Sequence, residues 1–104
     1  MKKIPSHYNK LKERHGGLLD AVEALGQAAK AGGPIDAATA ELIQLAAAVA
    51  IRSEGSVHSH TRRALAHGAT AEALRHAAIL LTSVVGFPAV AAALAWIDDC
   101  IEDA

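Results

Sequence analysis

Aromatic residues are nearly missing from this chain: one Trp, one Tyr and one Phe among 104 residues. Apolar residues still make up 52%, so alanine, leucine and valine must fill the interior. There is a single cysteine, Cys100, which excludes an internal disulfide framework. Ten basic and 11 acidic side chains leave a net charge of −1. That balance offers no electrostatic footprint for nucleic acid or for an anionic lipid surface. No apolar run reaches the roughly 18 residues a membrane span needs. Lys2 and Lys3 lead into Ile4, Pro5, Ser6 and His7 rather than an apolar stretch, so no secretory leader is read there. The expectation is a soluble cytoplasmic protein without a nucleic-acid or membrane partner.

No repeat, low-complexity tract or convincing strand is present, whereas helical punctuation is regular. Ser6 to His15 reads as a short polar helix ending at Gly16-Gly17. Leu18, Leu19, Val22 and Leu25 recur at helical spacing until Gly32-Gly33-Pro34. Asp36 is a suitable N-cap for a helix with Leu42, Leu45, Ala46 and Val49 on its core side. That helix is expected to run to about Arg52 and end near Gly55. Ser56 then caps a helix closing at Gly68, just after His67. Thr70 caps another, with Glu72 in its first turn favoured by the helix dipole. Gly86 breaks the pattern, and Pro88 suits the first turn of the last helix. The fold class predicted is all-α, one domain of about six helices over residues 1–104. LAAAVAI (45–51) and VAAALAW (90–96) are apolar almost all round. Such helices are buried on several sides, and a chain this small has few layers to bury them in. Assembly into a homo-oligomer is therefore expected.

Chemistry-bearing residues concentrate in Ser56-Val57-His58-Ser59-His60, at the predicted junction of two helices. Backbone amides at a helix start favour negative charge. A cysteine there has its thiolate favoured, but a serine hydroxyl stays a weak nucleophile without a well-aligned base. Glu41 lies one helix earlier, on the stripe Glu41–Leu45–Ala48–Arg52. It can orient a histidine or shuttle its proton, or it can merely favour the helix N-terminus. His58 and His60 likewise fit acid–base work or a structural hydrogen bond. His60 and His67 share a helix face, but no cysteine or acidic ligand sits at matching spacing, so no metal is predicted. A Ser-His-Glu hydrolase lacks its Gly-x-Ser-x-Gly elbow. Arg62 and Arg63 read as solvated or paired across a subunit contact. Cys100 lies beside Asp98 and Asp99, whose charge disfavours a thiolate, and it reads as structural.

The order of these residues carries a resemblance. A glutamate opens an apolar helix, ELIQLAAAVAIR (41–52), followed by a short Ser-Glu-Gly turn. The box SVHSH (56–60) comes next, then TRRALAHGAT (61–70) and an apolar helix broken at Gly86-Phe87-Pro88. Over roughly residues 18 to 97 the chain resembles the carboxymuconolactone decarboxylase family, in its branch of AhpD-like alkylhydroperoxidases. In that family the box is typically Cys-x-x-Cys, often followed by His. The cysteines cycle between dithiol and disulfide while reducing peroxides or partner disulfides. A glutamate on the preceding helix and a histidine in or after the box relay protons to the reactive thiol. By this resemblance Glu41 matches the relay glutamate, His58 falls inside the box, and His60 follows it. Ser56 and Ser59 occupy the two cysteine positions, and Ser53 stands where some members carry a third cysteine.

The departure removes the family's redox chemistry from those positions, because serine forms neither a disulfide nor a sulfenic acid. The catalytic candidates are thus Glu41, Ser56, His58, Ser59 and His60, with no cofactor and no metal. An engineered replacement and a natural sulfur-less member both fit this pattern. The resemblance implies peroxidase or antioxidant activity for a cysteine-containing parent, with a thiol or disulfide reductant protein as partner. It also implies a homo-oligomer, a trimer or hexamer. Two rival readings stay open: a non-redox acid–base enzyme of the lactone decarboxylase kind, and a non-catalytic assembly module.

Overall fold

The computed structural model describes residues 6–103. Among them are seven helices and no strand: α1 (Ser6–Arg14), α2 (Gly16–Ala31), α3 (Ala37–Ala50), α4 (Glu54–Ala66), α5 (Ala71–Ile79), α6 (Thr82–Val85) and α7 (Phe87–Asp103). The all-α prediction of about six helices therefore holds, the seventh segment being the four-residue α6. The chain divides into two compact units, one reaching to Ile35 and one starting at Asp36.

In the first unit, the Tyr8 hydroxyl donates to Glu23 Oε1 at 2.9 Å and ties α1 to α2. No residue of α2 is buried. Its apolar stripe follows the predicted spacing, yet Leu18, Val22 and Leu25 are all more than half exposed.

The second unit holds the core. Leu45 and Val49 of α3, Val57 and Ala64 of α4, Leu74 and Ala78 of α5, and Ala93 and Ile97 of α7 are buried together. Ala48, Ala64, Ala78 and Ala93 belong to this cluster, so small side chains fill a core with no fully buried aromatic among the described residues. Trp96 packs partly buried against this cluster. Within the chain α3 buries one face only: Ile43 stays 52% exposed, and Ile51 at its C-cap 73%. Leu42 packs on the core as expected and, with Ala46, lines an apolar groove between α3 and α5.

Local signals set most boundaries. Asp36 Oδ1 accepts from the Thr39 N–H at 2.8 Å, and Thr70 Oγ1 accepts from the Ala73 N–H at 3.1 Å. Each satisfies an otherwise orphaned amide of its helix start. At Gly68, φ is 91°. The Ala69 N–H there bonds to Ala64 O at 2.9 Å and the Gly68 N–H to Leu65 O at 3.1 Å. This paired closure is the Schellman motif.

The junction before the box differs from the sequence expectation. Helix α3 stops at Ala50, and α4 is capped by Ser53 rather than by Ser56. The cause is a second Schellman closure: the Ser53 N–H bonds to Ala48 O and the Arg52 N–H to Val49 O, each at 3.0 Å. It forces Arg52 into the left-handed region at φ 57°, where glycine would be the usual occupant. Ser53 is then extended, and its Oγ accepts from the Ser56 N–H at 3.3 Å. The cap thus falls three residues earlier than predicted, and Ser56 lies inside the first turn of α4.

Candidate active site: a buried glutamate–histidine dyad

Glu41 sits in the second turn of α3 on the same face as Leu45 and Ala48. It is fully buried. A carboxylate is almost never found there unless it is paired. The pairing comes from α4, where His60 Nδ1 lies 2.8 Å from Glu41 Oε1. The short α3–α4 turn folds α4 back along α3, and so joins residues 19 apart in sequence. The reading of Glu41 that spacing alone favours, as a group serving only the helix dipole, does not describe this geometry. Glu41 lies beyond the first turn and meets an imidazole.

The contact also sets the histidine's chemistry. With Glu41 ionised, Nδ1 must carry the hydrogen that the carboxylate accepts. Nε2 is then left with the lone pair that can take a proton from a neighbouring group. The His60 side chain keeps 20% exposure, so the imidazole bridges a buried carboxylate and the surface of the box.

The remaining box residues distribute around α4 by helical geometry, at about 100° per residue. Ser56 precedes His60 by four residues and shares its flank. Ser59 is adjacent in sequence and is rotated about 100° away. His58 is rotated about 200° and is not part of the dyad. Its Nε2 is buried and without a hydrogen-bond partner among the described residues. Glu54 Oε2 is 3.8 Å away, too far for a hydrogen bond. The thiol of Cys100, buried on α7, points at the His58 backbone carbonyl, with Sγ 3.8 Å from the oxygen. The structure therefore joins Glu41 with His60, places Ser56 on their flank, and leaves the His58 imidazole nearest Glu54.

Ser53 is the residue that sequence reasoning undervalued. As N-cap its Oγ accepts from the Ser56 backbone N–H, which ties Ser56 of the first turn of α4 to the residue before the helix. The available signal was spacing: Ser53-x-x-Ser56 followed four residues later by His60. Thr61, next to His60, is fully buried, and its Oγ1 has no hydrogen-bond partner among the described residues. Among the described residues no three His, Cys, Asp or Glu side chains converge as a metal site.

The model of the carboxymuconolactone decarboxylase family matches residues 16–99. This chain belongs to the carboxymuconolactone decarboxylase family. The match runs from the start of α2 into α7 and encloses both Glu41 and the box. An uncharacterized protein of Haemophilus influenzae strain Rd is 38% identical to this family member over 61 residues. That stretch is 59% of this chain and 54% of the relative, so the chain spans about half the length of the curated relative it matches. No solved structure matches the chain significantly. No helix among the described residues is long and apolar enough to cross a membrane.

Proposed function

We propose that this member of the carboxymuconolactone decarboxylase family keeps the proton-relay half of an AhpD-like thiol peroxidase without its sulfur half. The observation that carries the reading is the 2.8 Å contact between buried Glu41 and His60. In the proposed relay Glu41 fixes the imidazole tautomer, and His60 takes a proton from the side chain at position 56. With cysteine there, the product is a thiolate, the species that attacks a peroxide or disulfide. With serine, the proton is held on a hydroxyl that forms neither product, and the unmodified chain is redox-inactive at the box. Helix geometry favours Ser53 and Ser56 over Ser56 and Ser59 as the pair served by the relay, while His58 stays outside it.

The test is peroxide consumption with a dithiol reductant, comparing Ser53→Cys/Ser56→Cys, Ser56→Cys/Ser59→Cys and the unmodified chain. The expected order is turnover highest in the first variant and absent in the unmodified chain. If all three are inert while the variants fold, the redox reading fails. A second reading, acid–base chemistry on a lactone or carboxylate, is favoured by the completeness of the Glu41–His60 pair without any sulfur. It requires turnover by the unmodified chain that Glu41→Gln abolishes.

Self-assembly belongs to the same proposal. Ile43, Ile51, Ile79, Leu80, Val84 and Phe87 are each about half exposed or more in the second unit. A single domain spanning both units, assembling as a trimer or hexamer in the cytoplasm, gives these side chains an apolar partner. In a cysteine-containing parent, a thiol or disulfide reductant protein would reduce the box.

A further inference from the structure

We draw no further inference here: the strongest candidate, the apolar groove between α3 and α5 lined by Leu42, Ile43, Ala46, Ala77, Leu80 and Leu81, lies well around α3 from Glu41, and nothing in the structure shows what covers it.

Discussion

Replacing His60 by alanine removes the imidazole from a carboxylate that is fully buried. Losing a hydrogen bond to a charged group costs about 1.5–3 kcal/mol. A buried charged group left without its partner also bears its own desolvation penalty, about 1–3 kcal/mol or more. His60 keeps 20% exposure, so water can enter the space it vacates, which places the loss at about 2–3 kcal/mol. Domains of this size are held by only about 5–15 kcal/mol, and the loss corresponds to a fall in Tm of about 8–24 °C. Glu41→Met/His60→Ala removes the charge together with its partner. Since the cost lies in stranding the carboxylate, the double variant should be more stable than His60→Ala alone. Denaturant unfolding at pH 7 on the four members of this cycle gives the coupling, expected at about 2 kcal/mol. The argument is refuted if His60→Ala costs under about 0.5 kcal/mol, or if the two single losses simply add in the double variant.

Three further outcomes follow from the local geometry. Arg52→Gly relieves the left-handed backbone at φ 57° and should stabilise by about 0.5–1 kcal/mol after the unfolded-state entropy of glycine is counted. Arg52→Ala keeps the strain and gains nothing, so equal Tm values for the two variants would count against a strain origin. Ser53→Ala should lose about 1 kcal/mol through the α4 cap, whereas Ser56→Ala should lose less than half of that, since only the Ser56 amide is engaged; urea midpoints decide it. The Thr39 N–H, with its hydroxyl, holds the Asp36 carboxyl below the usual 3.8. A depressed folded-state value stabilises the fold above the unfolded pKa and is lost as pH falls through the folded one. Asp36→Asn caps without titrating, so it should show a shallower loss of stability below about pH 4. Identical acid limbs would remove Asp36 from the account.

The helix inventory was legible in the sequence because its signals are local. Asp36 and Thr70 cap wherever their neighbours are placed, and Gly68 needs only its own positive φ. The spacing from Glu41 to the box and the HTRRALAHGAT segment after it are likewise sequence properties, and together they carried the family resemblance. The start of α4 was misplaced because Ser53 and Ser56 are chemically equivalent caps. The choice between them lay in an arginine accepting a glycine-like conformation, which propensity argues against. Which face of α3 enters the core could be read only in part, since a helix apolar almost all round has no polar side to mark the outside.

The sequence by itself determined an all-α chain, its punctuation, and a glutamate followed by a box of serines and two histidines. It could not choose between His58 and His60, two residues apart and identical in type. Tertiary structure made that choice: α4 folds back on α3 in a rotation set by burying Val57, Thr61 and Ala64. That rotation brings His60 to Glu41 and leaves His58, about 200° around the helix, outside the pair.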